Sequence, residues 1–125
     1  ILRRREIAAI YDERLRDIEH LRLPQAPNSE PDHFDVFQNY ELEATFRDEL
    51  RSYLSSRGIG TLIQWGGKGV HQWEFLNFNL HIPGVETFFE KCLMLPMNMF
   101  LTDEDVHYVC DEIMQFYRAR ISKND

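Results

Sequence analysis

Apolar positions near the start of the chain recur with the period of an α-helix that has one buried face. Their spacings are four, four and three residues, at Ile7, Tyr11, Leu15 and Ile18. The pattern predicts a first helix from Leu2 to His20, which stops near Pro24. Three prolines between Pro24 and Pro31 then remove amide donors and fix φ, which predicts an extended surface connection over 24–33.

The period changes after this connection from that of a helix to that of a strand. Phe34 to Glu43 alternates, with apolar residues on one face and polar ones on the other, which predicts a half-buried strand. Gln38 falls on the apolar face of this predicted strand, where its amide needs a hydrogen-bonding partner.

A second helix follows this strand, and its two ends carry recognisable signals. Thr45 and Asp48 fit a capping box, and Gly58 is typical of the residue that ends a helix. The predicted buried stripe consists of Phe46, Leu50, Tyr53 and Leu54. Ile59 to Trp65 is then predicted to be a short apolar strand.

The rest of the chain contains a long aromatic-rich connection, two helices and a short strand. A glycine run breaks the second strand, and one helical turn is predicted after Val70. A third helix is predicted over Val85–Leu93, with Val85, Phe88, Phe89 and Cys92 buried, and a third strand over Leu93–Met97. The last helix opens at Thr102 with three acidic residues and fades after Ile121, with a buried stripe at Val106, Val109, Cys110, Ile113 and Tyr117.

This order of elements predicts the fold class. Helices at both ends of the chain, with two or three strands between them, indicate an α/β domain of the α+β type in which helices flank a small sheet. The 125 residues suffice for a single core. We therefore predict one domain over 1–125, with a helical segment 1–23, a loop 24–33 and the sheet and helices in 34–121.

The charge balance disfavours two classes of partner. The formal net charge is −7, which repels nucleic-acid phosphates and anionic membrane surfaces, and no apolar run approaches the roughly 18 residues that span a bilayer. Arg3, Arg4 and Arg5 are interpreted as the solvated face of the first helix, since acidic residues follow at once. Cys92 and Cys110 lie on apolar faces, which predicts reduced core thiols and a cytoplasmic protein.

The N-terminal end predicts that the chain is a piece of a larger protein. It begins with Ile1, and its helical pattern starts without an initiator methionine or a capping residue. A fragment of this kind is expected to lack part of the machinery for a complete reaction.

Residues 66–69 form the one loop with candidate chemistry. Gly66-Gly-Lys-Gly69 follows a predicted strand, but Leu62 and Gly69 occupy positions where a phosphate-binding Walker loop needs Gly and Ser or Thr. Glycine permits close backbone approach to a ligand, so the loop is a candidate contact region, with a plain turn as the alternative. His71, two residues past the glycine run, is the only histidine in a plausible site loop, and the spacing of His and Cys residues predicts no metal site.

Short motifs through almost the whole chain resemble the small C-terminal domain of the DegT/DnrJ/StrS aminotransferases. The residues that carry the resemblance are Phe37-Gln-Asn-Tyr40, Arg47-Asp-Glu-Leu50, Leu54, Gly58-Ile59, Thr61, Trp65, His71, Pro83, Glu86, Leu93-Met-Leu-Pro96, Leu101-Thr-Asp-Glu104, Val106 and Val109. The opening helix resembles the end of the helix that joins the two domains. The chain departs from the family pattern in the glycine run, at Gln64, and in the order of Gln38 and Asn39.

The resemblance implies an enzyme that uses pyridoxal phosphate to transfer an amino group to a nucleotide-linked keto-sugar. A lysine of the large domain would hold the cofactor, and Lys68, Lys91 and Lys123 do not match its context. The implied partners are the missing N-terminal large domain, a second copy in a homodimer, and the nucleotide sugar. No catalytic residue is predicted in this chain, and the predicted substrate contacts are Gln38, Asn39, Trp65, Lys68 and His71.

Two other functions remain open from the sequence. One is a non-catalytic interaction module with the same fold. The other is a small nucleic-acid-binding domain, against which the acidic balance and the lack of an aromatic RNA-binding strand argue.

Overall fold

The computed structural model describes residues 1–122, which form four helices around a small antiparallel sheet. In chain order the elements are α1 (Leu2–Leu15), β1 (Leu21–Arg22), β2 (Tyr40–Ala44), α2 (Arg47–Ser56), α3 (Pro83–Lys91), β3 (Cys92–Leu95) and α4 (Asp103–Ile121). The strands lie in the order β1-β2-β3, and Leu42 pairs with Leu93 at the centre of the sheet. The predicted α/β small domain with long terminal helices is confirmed, with three strands.

The core lies between the sheet and the two terminal helices. Tyr40, Leu42 and Ala44 of β2 are buried, as the strict alternation of a half-buried strand requires. They pack in one cluster with the buried faces of α1 and α4, which contact each other along their length. Burial of a leucine side chain such as that of Leu42 contributes roughly 1.5–3 kcal/mol to stability.

Helix α4 follows its sequence signals closely. The Thr102 hydroxyl accepts the Asp105 amide at 3.1 Å, and the Asp105 carboxylate accepts the Thr102 amide at 2.9 Å, which completes a capping box. These hydrogen bonds hold the pKa of Asp105 below its usual value. The predicted stripe is buried, with Phe116 added to it, and Cys110 lies within it as a free thiol whose pKa burial raises to about 12.

Helix α2 confirms its predicted end but not its predicted start. At the end, Gly58 has φ +77°, and the amides of Gly58 and Ile59 bond back to Ser55 and Leu54 as in a Schellman motif. At the start, Phe46 is the N-cap in a left-handed conformation and no side chain caps the helix. The predicted Thr45 cap is wrong because α2 begins at Arg47 and Phe46 takes the N-cap position, whereas the Thr45 amide bonds to the His20 carbonyl. Phe46 is 42% exposed rather than buried.

The first helix is shorter than predicted, and a strand that the sequence did not indicate follows it. Helix α1 ends at Leu15 rather than His20. Leu21 and Arg22 then form β1, which pairs with Ala44 and Glu43 of β2. The apolar helical period continues to Ile18, but the helix ends earlier because the chain then pairs as a strand with residues more than twenty positions away.

The predicted strand Phe34–Glu43 is wrong in its first half. Phe37 has φ +49°, which interrupts the extended backbone and turns the side chains before it to the other side. Phe37 is therefore buried, whereas Phe34 and Val36 are 63% and 42% exposed. The side chain of Gln38 is exposed as well, so it does not need the buried partner that the alternation suggested.

The three consecutive arginines are not a solvated face. Arg3 donates to the Leu101 carbonyl and pairs with Asp103, and Arg4 donates to the carbonyls of Phe37 and Gln38. Arg5 is 8% exposed and binds the segment that precedes β2. The run is a set of tertiary contacts that ties α1 to the rest of the domain.

The boundaries of the third helix and the third strand differ from the predicted ones by one or two residues. Helix α3 begins at Pro83 and ends at Lys91, and its apolar residues Val85, Phe88 and Phe89 are half-buried. Cys92 belongs to β3, which starts one residue before the predicted strand. Of the predicted strand Ile59–Trp65 only one bridge is formed, between Leu62 and Met94. None of the helices within residues 1–122 combines the length and apolar character needed to cross a bilayer.

Candidate functional site

A predominantly apolar pocket lies between the long connection after α2 and one face of α3. Its volume is about 550 Å³, and most of its walls come from residues 65–82 of the connection. The lining residues are Trp65, Lys68, Gly69, Val70, His71, Trp73, Phe78, Leu80, Ile82, Val85 and Phe89. The connection contains a left-handed turn at Gln64–Gly67 and two short 3₁₀ turns at Val70–Gln72 and Glu74–Leu76. The single helical turn predicted after Val70 is therefore present, and a second one follows it.

Trp65 enters the pocket from a left-handed turn. Trp65, Gly66 and Gly67 have φ values of +54°, +62° and +73° in succession. Glycine adopts this conformation freely, but a bulky aromatic residue does so at a cost that surrounding structure must offset. The indole is nevertheless 69% exposed, which excludes the alternative that Trp65 is a core residue.

Lys68 supplies the one permanent positive charge of the pocket wall. Its ammonium lies 5.5 Å from the centroid of the Trp73 ring, within the range of a cation–π contact. The Lys68 side chain is exposed, so it retains its hydration and can reach an anionic group at the pocket mouth.

His71 is held by a carboxylate on α3. Its side chain is 6% exposed, and Nε2 lies 3.0 Å from Glu86 Oε1. The same oxygen accepts the Ile82 amide at 3.1 Å, and Glu86 Oε2 lies 3.2 Å from Nδ1 of the exposed His81. The hydrogen bond from His71, followed by that from Ile82, lowers the pKa of Glu86 below its usual value. Glu86 is thus an anion that binds both ends of the connection to α3.

Gly69 is required by close packing rather than by its backbone conformation. A methyl group at this position would lie 2.8 Å from Cε1 of His71 and 2.8 Å from Cγ1 of Val85. Its amide donates to Gln72 Oε1 at 2.8 Å, and its carbonyl accepts the Gln72 amide at 2.9 Å. The absence of a side chain at position 69 is what lets the imidazole and Val85 pack this close to the turn.

The structure gathers three of the five predicted site residues and separates the other two. Trp65, Lys68 and His71 line the same pocket. Asn39 borders a different depression of about 400 Å³ with Gly60, Thr61 and the end of β3, and the side chain of Gln38 is exposed without lining either one.

Several residues of the site were not identified from the sequence. Trp73 and Phe78 belong to the connection that the sequence analysis described only as aromatic-rich, and Leu80 and Ile82 carried no signal. Glu86 was recognised as a family-like residue but not as the partner of His71, because fifteen residues separate them. Within residues 1–122 no group of three His, Cys, Asp or Glu side chains is arranged to hold a metal ion.

The lowered pKa of Glu86 predicts a loss of stability in acid. A carboxylate whose folded pKa is depressed stabilises the fold above its unfolded pKa of about 4.3, and this contribution disappears as pH falls through the folded pKa. Glu86→Gln should therefore be less stable than wild type near neutral pH. The difference should vanish at a pH low enough to protonate Glu86 in both the folded and the unfolded wild-type chain. Urea unfolding at several pH values measures it. Glu90→Gln, at an exposed position of the same helix, should show no such pH-dependent difference.

Comparison with protein families identifies the family to which the chain with this pocket belongs. The model of the DegT/DnrJ/EryC1/StrS aminotransferase family matches residues 1–114. The chain belongs to this family. The resemblance inferred from short motifs is thereby confirmed.

Relatives and solved structures agree with this assignment. The chain is 30% identical to a pleiotropic regulatory protein of Geobacillus stearothermophilus over 92% of its length, and 30% identical to dTDP-4-dehydro-2,3,6-trideoxy-D-glucose 4-aminotransferase of Saccharopolyspora spinosa over 98%. Among structures, the aminotransferase TlmJ from Streptoalloteichus hindustanus superposes with a TM-score of 0.85 at 30% identity over 95% of the chain. DesV from S. venezuelae, in complex with a ketimine intermediate, gives 0.80 at 29% identity over 91%.

The matched region is only part of each relative. The chain spans 32% and 31% of the two related sequences and 32% and 31% of the two structures. The family of the chain is therefore established, and the activity of a whole protein that contains it is a separate question.

Proposed function

We propose that this chain is the C-terminal small domain of an aminotransferase that uses pyridoxal phosphate to aminate a nucleotide-linked keto-sugar. In this proposal the enzyme is a cytoplasmic homodimer, and the chain supplies one wall of the substrate cleft. The observation that carries the proposal is the pocket in which Trp65, Lys68 and His71 meet. The Saccharopolyspora relative, whose name specifies a dTDP-linked sugar substrate, supports the same substrate class.

The lining of the pocket fits a cleft wall and does not fit the anchoring of the cofactor. It includes one lysine, Lys68, and no carboxylate that could pair with a pyridine nitrogen. Lys68 and Lys91 are both exposed, and Lys123 lies outside the described residues. Pyridoxal phosphate, when bound, supplies the electron sink for amino transfer. We assign its Schiff-base lysine to the large domain and derive no chemical step through this chain.

The residues of the pocket suit the parts of a sugar nucleotide. Trp65 and Trp73 offer exposed indole faces, against which a planar base can stack. Lys68 offers a point charge for a diphosphate oxygen, and the edge of His71 offers a hydrogen bond for a hydroxyl. A ligand that covers the apolar remainder of the wall would displace water from it, which would strengthen each of these polar contacts. Gln38 and Asn39 would act from outside this pocket.

Substitutions in the full-length enzyme test the proposed contacts. Lys68→Ala and His71→Ala should each raise the KM for the sugar nucleotide about 10-fold or more, because each removes one charge-assisted or polar hydrogen bond. The absorbance of bound pyridoxal phosphate should stay unchanged. Lys91→Ala, which removes an exposed lysine outside the pocket, is the matched control. Wild-type KM values for both pocket variants would contradict the proposed role of the loop.

A non-catalytic interaction module is a second candidate because one relative is named a pleiotropic regulatory protein. The two functions differ in the full-length protein. If the full-length protein is an aminotransferase, borohydride reduction should attach pyridoxal phosphate to a lysine outside this chain. Attachment to Lys68 in an active protein would contradict the assignment of the cofactor lysine to the large domain, and the absence of any attachment would favour the interaction module.

A further inference from the structure

The Glu86 carboxylate, on the first turn of α3, lies within hydrogen-bonding distance of three groups. Its Oε1 faces two donors from the connection, His71 Nε2 at 3.0 Å and the Ile82 amide at 3.1 Å. Its Oε2 faces His81 Nδ1 at 3.2 Å. Because the pKa of Glu86 lies below its usual value, the carboxylate is ionised at neutral pH and can only accept.

This arrangement fixes the position of a proton on His71. A neutral imidazole carries its proton on one nitrogen, and the hydrogen bond made by that nitrogen selects the tautomer. Since Glu86 Oε1 only accepts, the proton of His71 must lie on Nε2. Nδ1 is then left with its lone pair, and no group within residues 1–122 forms a hydrogen bond with it.

Gly69 packs against the edge of the ring that bears Nδ1 and leaves no side-chain atom on it. A β-carbon at position 69 would lie 2.9 Å from Nδ1 and 2.8 Å from Cε1, closer than side chains tolerate. The glycine and the carboxylate thus act on opposite edges of the same imidazole. The glycine spares Nδ1 the contact that a β-carbon at position 69 would make, and the carboxylate makes Nδ1 an acceptor.

We propose that Glu86 is a positioning residue, which holds His71 in the Nε2–H tautomer so that Nδ1 accepts a hydrogen bond from a hydroxyl of the substrate. The inference rests on the proposed function for the identity of the ligand, but the tautomer itself is a property of this chain. Glu86 acts on the substrate only through His71, and it also fastens the start of α3 to the connection through Ile82.

Nuclear magnetic resonance of the ¹⁵N-labelled chain tests the tautomer without any substrate. Two-bond ¹H–¹⁵N correlations at alkaline pH should show His71 with its proton on Nε2. Glu86→Gln should keep this pattern, because the Ile82 amide fixes the amide oxygen at the position that faces Nε2. Glu86→Ala should give a mixture of tautomers, whereas His81→Ala should match wild type because His81 contacts the other oxygen.

Two spectra would contradict the proposed tautomer or the role of Glu86 in fixing it. Wild-type His71 with its proton on Nδ1, or an unchanged His71 pattern in Glu86→Ala, would overturn the proposal. If Glu86→Ala does not fold, the wild-type and Glu86→Gln spectra still decide between the two tautomers.

Kinetics of the full-length enzyme test the consequence for binding. Glu86→Ala should raise the KM for the sugar nucleotide by less than His71→Ala does, about 2-fold if the two tautomers are equally populated, because affinity falls only with the fraction of His71 that carries its proton on Nε2. The kcat should change less, and Glu86→Gln should restore most of the lost affinity. The double variant should be no worse than His71→Ala alone, since both changes remove the same contact. Additive effects would show that Glu86 acts independently and overturn the proposal.

No effect of His71→Ala would instead contradict the proposed function, and the tautomer measured in the chain would still stand. Glu90→Gln is the activity control on the same helix.

Discussion

Leu54→Ala should lower the free energy of unfolding by about 2–5 kcal/mol, through the lost burial of three carbon atoms and the cavity left behind. Leu54 is fully buried on α2, and this helix contacts α4 and two strands of the sheet. Its backbone carbonyl also accepts the Ile59 amide that closes the helix, so its surroundings have little freedom to collapse into the cavity. Urea denaturation monitored by circular dichroism measures the change.

Leu2→Ala is the matched control for this prediction. Leu2 carries the same side chain on a helix but is 74% exposed, so the substitution removes little buried surface. A change within about 0.5 kcal/mol is expected. Equal effects at the two positions would show that the buried face of α2 has been assigned incorrectly.

Arg5→Leu should cost about 1.5–3 kcal/mol, because the guanidinium makes charge-assisted hydrogen bonds that leucine cannot replace. Arg5 is 8% exposed, donates to the Asp35 carbonyl and to Asn28 Oδ1, and lies 4.0 Å from the centroid of the Phe34 ring. These contacts hold the proline-bearing segment before β2 against α1. The variant should therefore show both a lower midpoint in urea and faster amide exchange over residues 28–37.

Arg51→Leu provides the same substitution at an exposed position of α2. It should change stability by no more than about 0.5 kcal/mol and leave exchange in residues 28–37 as in wild type. If Arg5→Leu behaves like Arg51→Leu, the arginine run is a solvated face after all, as the charge pattern alone suggested.

Several features could be predicted from the sequence because they depend on nearby residues. The buried stripe of α4 and its Thr102 cap follow from helical spacing and from residues three positions apart. The Gly58 stop of α2 follows from a backbone conformation that glycine adopts without strain. The family could be inferred from the sequence as well, since short motifs kept their order along the chain.

The candidate site was predicted in part, because three of its residues are close together in the sequence. The glycine run marked a loop of unusual conformation, and Trp65, Lys68 and His71 lie within a few residues of it. Gln38 was interpreted incorrectly because its predicted burial depended on an unbroken strand, and the left-handed Phe37 breaks that strand.

Tertiary structure decided the remaining features, each of which joins residues far apart in the chain. Strand β1 exists because Leu21 and Arg22 pair with β2, and the buried arginine at position 5 finds its acceptors between residues 28 and 35. The partner of His71 stands on α3, fifteen positions away. Periodicity reports which face of an element is apolar, but it carries no information about which distant groups satisfy a buried charge or fix an imidazole proton. Those pairings depend on the packed domain, where burial makes every unsatisfied donor or acceptor costly.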